Sequence, residues 1–499
     1  EGFPSYMTAA HSDEDIGEVV AAMKDSVLEM QDDGVLPRPA GEAVLPGSWV
    51  RRLPLTEGQH EILVASQMSE AASCAFNESD SIRIDGQLDT RRFTQAVEET
   101  LARHEAFRLR FDADGARQSI DPQAAFRVEL VDLSTIPADI AEAEFEALLS
   151  RQARLPFDLS QGPIVRTFLV KQSDTTHVFV IYCHHIAFDG YSSELVVREV
   201  AERYAASAEG RTAELKPIAQ FSEYVARSFR RRNDKTRAAA LDHWATVFGD
   251  ELPVPLELPT DRMRTPTRSN AGGTIHRELD KTLSEGVKAI ARGRGVGMTA
   301  LLLSSFASLL SRLSTQEDIV IGLPAAGQSA LDVECAGYCV NMLPIRLATE
   351  YGKSFGKLAK ETQQAVLDAS EQQSAPLSEI IRSLHIPRDP SRLPLVEVVF
   401  NYSRYFAGLG MHDCKLTSRE NRRRAILYDM FFNIVEADGR LMIDWDYASD
   451  LFDRSTIDRW TDHYVELLWG IIRDDARSLG ELPLLPGQDD VVAIATQTH

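Results

Sequence analysis

A mixed α/β architecture in two similar halves is predicted by three observations. Helical and strand patterns alternate from Leu53 onward. The α/β run after Pro259 roughly echoes the run before Leu252, and the β-branched stretches Val165 to Val170 and Val178 to Cys183 are long enough for buried strands. At 499 residues the chain exceeds a typical domain of about 100–200 residues, so two or three units are expected. Hydrophobic residues make up 44% and charged residues 26%, which supplies a core and excludes disordered and fibrous classes. Lys plus Arg number 53 against 75 for Asp plus Glu, a net charge of −22. That balance lacks the basic footprint of a nucleic-acid binder, so no nucleic-acid partner is expected.

Residues 1–36 carry nine acidic side chains and one Lys, and Ser12-Asp13-Glu14-Asp15 followed by Ile16, Val19, Val20, Met23, Val27 and Met30 predicts a capped amphipathic helix. Pro37-Arg38-Pro39-Ala40-Gly41 and Pro46-Gly47 suit a linker over 37–48, with a boundary near residue 48. Beyond it, Leu88 to Arg103 and Ala141 to Arg154 are expected as helices, Phe107 to Phe111 and Phe126 to Val131 as strands. The strand over Val178 to Cys183 ends at two adjacent histidines before Asp189-Gly190, which reads as a turn. Helix is expected again from Glu194 to Tyr204 and from Phe221 to Trp244. The latter carries Arg227, Arg230, Arg231, Arg232, Lys235 and Arg237, read as a solvated helix face, with a docking surface for an acidic partner as the alternative.

Leu252 to Pro259 is a proline-punctuated extended crossing. Helices from Leu283 and over Thr299 to Leu313 follow, then a strand over Ile319 to Leu323. A hairpin joins Phe431 to Val435 with Leu441 to Tyr447 around Asp438-Gly439, and Ser455 to Ile472 closes the chain as a helix. No apolar run approaches the ~20 residues that span a bilayer, and the first residues lack a secretion signal. Five cysteines without a paired motif imply reduced thiols and no structural zinc. A cytoplasmic protein with no membrane partner is expected.

The stretch richest in chemistry is Cys183-His184-His185-Ile186-Ala187-Phe188-Asp189-Gly190-Tyr191-Ser192. Two imidazoles and a carboxylate serve either a metal or acid/base work. Successive side chains on a strand point to opposite faces, so His184 and His185 do not easily grip one ion together. One histidine is expected to work at a cleft while the other packs. Asp189 reads as a brace, anchoring its loop to an arginine elsewhere, more than as a base.

His184-His185-x-x-x-Asp189-Gly190 resembles the signature of condensation domains from nonribosomal peptide synthetases, within the chloramphenicol-acetyltransferase-like acyltransferase superfamily. Further landmarks of that family stand in order: Leu55-Thr56-Glu57-Gly58-Gln59, Arg103-His104-Glu105-Ala106-Phe107-Arg108, Pro156-Phe157-Asp158-Leu159 with Gly162-Pro163, and Leu258-Pro259-Thr260-Asp261-Arg262. Beyond them come Ile321-Gly322-Leu323-Pro324-Ala325-Ala326-Gly327, Val340-Asn341-Met342-Leu343-Pro344-Ile345-Arg346, and Arg388-Asp389-Pro390-Ser391-Arg392 leading to Phe400-Asn401-Tyr402. The resemblance implies two chloramphenicol-acetyltransferase-like lobes, over 49–240 and 241–487, in a V-shaped pseudo-dimer with a tunnel between them, followed by a tail over 488–499. It implies amide formation between an acyl thioester and an aminoacyl acceptor, both on phosphopantetheine arms of upstream donor and downstream acceptor carrier proteins. Neighbouring synthetase domains are the other expected partners, and no cofactor is expected to be bound.

Carried over by residue, the resemblance makes His185 the active-site histidine and gives Asp189 a structural salt bridge, for which Arg108 is the candidate partner. Gly190 lies in the loop beside the thioester, His184 packs in support, and Ser192 and Asn341 are candidates for lining the tunnel. This chain departs from the family at Tyr191, where Trp is frequent, at Gln328, where Arg is usual, and at Met342, where Thr or Ser is common. An epimerisation domain is the alternative enzyme, although that class usually continues with Ser-Trp where this chain has Tyr191-Ser192-Ser193. Non-catalytic recruitment modules tend to lose the active histidine, heterocyclisation domains replace both histidines, and a free-standing coenzyme A acyltransferase is disfavoured. Ala10-His11-Ser12-Asp13-Glu14-Asp15-Ile16 is similar to the C-terminal helix of class III pyridoxal-phosphate aminotransferases. It implies the remnant of an upstream domain, without pyridoxal phosphate here, and a β-aminoacyl donor.

Overall fold

The computed structural model describes residues 51–231, 235–249, 251–387, 389–404, 410–419, 421, 425–437 and 439–486. They fall almost wholly in the second of two compact units, Arg52–His499. The expected acidic helix, the linker, the tail, Arg232, Arg388 and Asp438 lie outside the described residues.

Six strands form the first sheet, in the order Gly410–Met411, Cys414–Arg419, Asn77–Asp85, Thr176–His184, Val165–Ser173 and Val128–Asp132. All neighbours are antiparallel except the last pair. Thr176–His184 is interior to this sheet and is buried from His177 on. Side chains alternate across a strand. Phe179, Ile181 and Cys183 therefore join one core cluster, with helices Thr90–Arg103 and Gly190–Glu209, while Val178, Val180 and Tyr182 join another against helix Ala138–Ala153. Cover on both faces is why the sequence shows an unbroken apolar run rather than alternation.

The second sheet also has six strands, in the order Val340–Ala348, Asp318–Ala326, Val398–Arg404, Met430–Ala437, Arg440–Ala448 and Gly272–Glu278. Val398–Arg404 runs parallel to both of its neighbours. Helices Met298–Ser314 and Arg454–Arg473 pack on this sheet, where Phe306 stacks on Phe432 at 4.3 Å and Trp445 meets Phe432 edge-on at 4.7 Å. Two like sheets with their helices form the pair of chloramphenicol-acetyltransferase-like lobes. A third, three-stranded sheet joins Arg51–Pro54, Arg117–Ile120 and Leu109–Phe111.

Several connections among the described residues couple the halves. Cys414–Arg419 leaves the second half and pairs with Asn77–Asp85 of the first sheet. The segment over 332–339 carries Val333, Cys335, Ala336 and Cys339 into the first core. Arg237 donates to Glu57 and to Glu379, both at 2.6 Å.

Arg230 and Lys235 of the basic cluster are exposed, as a solvated face requires, but Arg237 departs from that reading: its side chain is only 13% exposed and spans two carboxylates. Arg227 is likewise engaged, by Glu223 and the carbonyl of Leu331. Within the span expected as helix, Phe221 to Trp244, the described residues are helical over Phe221–Arg231 and from Lys235 on, in Lys235–Phe248. The strand expected from Phe107 starts at Leu109, after a 3-10 turn over Glu105–Arg108. Among the described residues no single helix is long and apolar enough to cross a membrane.

Candidate active site

Strand Thr176–His184 delivers both histidines to the edge of the first core, and there their environments diverge. His184 is fully buried, between the rings of Phe76 at 5.9 Å and Phe157 at 6.3 Å. Its Nδ1 accepts from the Ile186 amide at 3.3 Å and its Nε2 lies 3.4 Å from Ser66 Oγ. Burial, and then the neighbouring His185, lower its pKa from 6.5 to about 3. A neutral imidazole in the fold that would protonate once unfolded stabilises the protein above pH 6.5, and that stability is lost as pH falls toward 3. The expected loss from this group is about 2 kcal/mol between pH 7 and pH 5. Urea denaturation at both pH values checks it, His184→Gln giving the shallower dependence.

His185 is half-buried and opens a 3-10 turn over His185–Ala187. Its amide donates to the Phe76 carbonyl at 2.8 Å. The turn is gripped from helix Glu57–Ser66, whose Gln59 is fully buried and donates to the Ile186 carbonyl at 3.2 Å. Gln59 also exchanges two amide hydrogen bonds with Gln118, at 2.9 and 2.7 Å. The decisive contact is His185 Nδ1 to the Phe188 carbonyl, 2.6 Å. A carbonyl only accepts, so Nδ1 carries a hydrogen, which in the neutral imidazole puts the lone pair on Nε2. Among the described residues nothing else hydrogen-bonds that ring.

Asp189 does not bridge to Arg108. Its carboxylate, 3% exposed, accepts from Ser192 N at 2.8 Å and Ser192 Oγ at 2.7 Å on one oxygen. The other oxygen accepts from Gln328 Nε2 at 3.0 Å and Cys339 N at 3.2 Å. Four neutral donors satisfy it, so no cation is required, although burial still pushes its pKa up. Arg108 instead lines a separate pocket of about 150 Å³ beside Asp121 and Gln161. Asp189 and Gly190 are also not a turn: Asp189 is the N-cap of helix Gly190–Glu209. Ser192 corrects a second expectation. It is fully buried and, besides Asp189, bonds the amide of Gly337 at 2.9 Å, so it ties the helix to the segment over 332–339 instead of lining a tunnel.

Gly190 is exposed, and a Cβ placed on it would meet no atom within 4 Å. Protein packing leaves that helix end open. The amides of Gly190 and Tyr191, at its positive end, have no acceptor among the described residues. Asn341 is half-buried, donates to the Gln373 carbonyl at 2.7 Å, and lines a cavity of about 210 Å³ between residues of both halves. Glu57, Gly58, Arg237, Gln373 and Tyr338 also line it. Tyr338, unnoticed in the sequence, sets its ring edge-on to His185 with centroids 4.9 Å apart.

Residues 50–491 match the family model described as Condensation domain. The chain belongs to the condensation-domain family. Tyrocidine synthase 3 of Brevibacillus parabrevis is 30% identical over 447 residues, which cover 89% of this chain and 7% of that protein. The condensation domain thus spans about a sixth or less of the length of such curated relatives. Among solved structures, the complex of the X-domain and OxyB from teicoplanin biosynthesis aligns with a TM-score of 0.73 and 26% identity, covering 90% of this chain and 99% of that one. The starter condensation domain of rhizomide synthetase aligns with a TM-score of 0.78 at 20% identity, covering 87% and 97%.

Proposed function

We propose that this condensation domain joins a carrier-bound acyl thioester to the amine of a carrier-bound aminoacyl acceptor, with His185 at the reacting centre. The observation that carries the reading is a half-buried imidazole whose Nε2 lone pair is unengaged because Nδ1 is committed to the Phe188 carbonyl. An amine with a pKa near ~8 is already about a tenth neutral at pH 7. A strong base is unnecessary. The neutral amine attacks the thioester carbonyl carbon, His185 Nε2 takes the proton the nitrogen sheds as the C–N bond forms, and collapse of the tetrahedral intermediate breaks the C–S bond, the donor thiolate taking up that proton and the amide staying on the acceptor arm. The open amides at the start of helix Gly190–Glu209 are suited to the developing oxyanion. Holding two tethered reactants together can supply effective molarities of order 10⁵ M or more, so positioning rivals the proton transfer.

The partners in this reading are upstream donor and downstream acceptor carriers bearing phosphopantetheine, within a longer synthetase in the cytoplasm. No cofactor takes part. The N-terminal resemblance to an aminotransferase helix supports a β-aminoacyl donor. Incubating the domain with matched β-aminoacyl and α-aminoacyl carriers against one aminoacyl acceptor tests donor class by product mass. The β-aminoacyl donor is expected to react faster. Equal rates, or preference for the α-series, refute that choice, and inversion of a single loaded carrier without transfer marks an epimerisation domain instead.

A further inference from the structure

We infer that the ring of Tyr338 is the specificity-determining barrier between the inter-half cavity and His185, with Gly58 providing the clearance it needs. The inference rests on the condensation reading for its substrates, but its geometry stands apart from it. Tyr338 lines the cavity of about 210 Å³ and also makes the edge contact with the His185 ring at 4.9 Å. His185 itself is not among the residues lining that cavity. A substrate entering there meets the phenol before the imidazole.

The ring is held from two sides. Cys339, next in sequence, is fixed through its amide to Asp189, and Gly337, just before, is fixed to Ser192 and has φ +147, a conformation that favours glycine. The backbone beneath Tyr338 is thereby pinned, so only side-chain rotation can open the passage. Opposite, a Cβ on Gly58 would lie 2.6 Å from Tyr338 Cε1. Gly58 sits in the first turn of helix Glu57–Ser66, where glycine has no advantage over alanine for the helix itself. What the missing methyl serves is room for the ring. The hydroxyl makes no hydrogen bond among the described residues, and burial raises its pKa well above 10, so it stays a neutral group. The barrier is the ring, not the oxygen.

Two readouts test this. Carbethoxylation of His185 by diethyl pyrocarbonate, followed by peptide mass spectrometry with exposed His60 as internal standard, measures access without any turnover. Competition between small and bulky acyl donors, and separately between small and bulky aminoacyl acceptors, measures selectivity. Tyr338→Ala is expected to raise His185 labelling at least tenfold and to shift the bulky-to-small ratio in one series by about tenfold, within the span a reshaped pocket produces. Tyr338→Phe is expected to match wild type in both. Gly58→Ala should depress labelling and turnover, with the Gly58→Ala/Tyr338→Ala pair restoring both. Tyr338→Leu replaces the alanine variant if circular dichroism shows the latter unfolded. Unchanged labelling and ratio in a folded small-residue variant, or equal opening by Tyr338→Phe, would overturn the inference. Wild type that forms no amide would overturn the condensation reading, while labelling would still decide the role of Tyr338.

Discussion

Replacing His185 with alanine is expected to slow amide formation by about 10²–10⁴-fold, the range a positioned general base contributes, while the fold persists. The ring makes one side-chain hydrogen bond, to the Phe188 carbonyl, and is half-buried, so its loss removes little packing. Rates under saturating donor and acceptor carriers, with thermal melting as the control, check this. His185→Gln retains much of the ring's volume without its basicity. If Gln restores the rate, Nε2 acts by filling space; if it does not, proton acceptance is the function. A folded His185→Ala variant with an undiminished rate removes the assignment altogether.

Asp189→Ala carries the second large effect, and it falls on stability. Four donors from Ser192, Gln328 and Cys339 converge on that carboxylate in a site 3% exposed. Each buried donor left without a partner costs about 1–3 kcal/mol. Since local relaxation rescues some of them, a destabilisation of about 3–5 kcal/mol is expected in urea titrations. Asp189→Asn should be far milder. Gln328 Oε1 is buried with no partner, so a flipped Gln328 amide accepts from the new Asn and the Ser192 bonds survive, leaving only the Cys339 amide without its acceptor. Because burial raises the Asp189 pKa, ionising it costs more folded than unfolded. Its contribution is greatest below the unfolded carboxylate pKa and declines as pH rises through the folded value. The wild type should therefore lose ground to Asp189→Asn on going from pH 4 toward neutrality. A constant difference across that range would show that Asp189 keeps an ordinary pKa.

The strand bearing the histidines was legible because both its faces are buried, which writes a continuous apolar run into the sequence. Its sequel was not. Asp-Gly serves equally as a turn and as an N-cap followed by the first helical residue, and helix Gly190–Glu209 begins four residues before the periodicity at Glu194 announces it. Strand Val340–Ala348 was hidden by Pro344, a residue that argues against a central strand. It is tolerated because this strand lies at the sheet edge.

Long-range partners were the least accessible. The amide of Gln328 reaches Asp189 across 139 positions, and no local pattern selects it over Arg108. One missed contact did leave a trace. Thr56-x-x-Gln59 is a capping box, with Gln59 N bonded to Thr56 Oγ1 at 3.2 Å and Thr56 N to Gln59 Oε1 at 3.1 Å. That spacing marks the start of the helix that grips the His185 turn. Tyr338 left none, since its meaning depends on a segment of the second half entering the first core.

If His185 assists transfer of an acyl chain from one carrier to another, intact mass spectrometry of both carriers after a single turnover records it. The donor carrier is expected to lose its acyl mass, the acceptor carrier to gain it, and the transfer to slow by at least about a hundredfold with His185→Ala. Carriers whose masses remain unchanged with wild-type protein, or a transfer indifferent to His185, would contradict it.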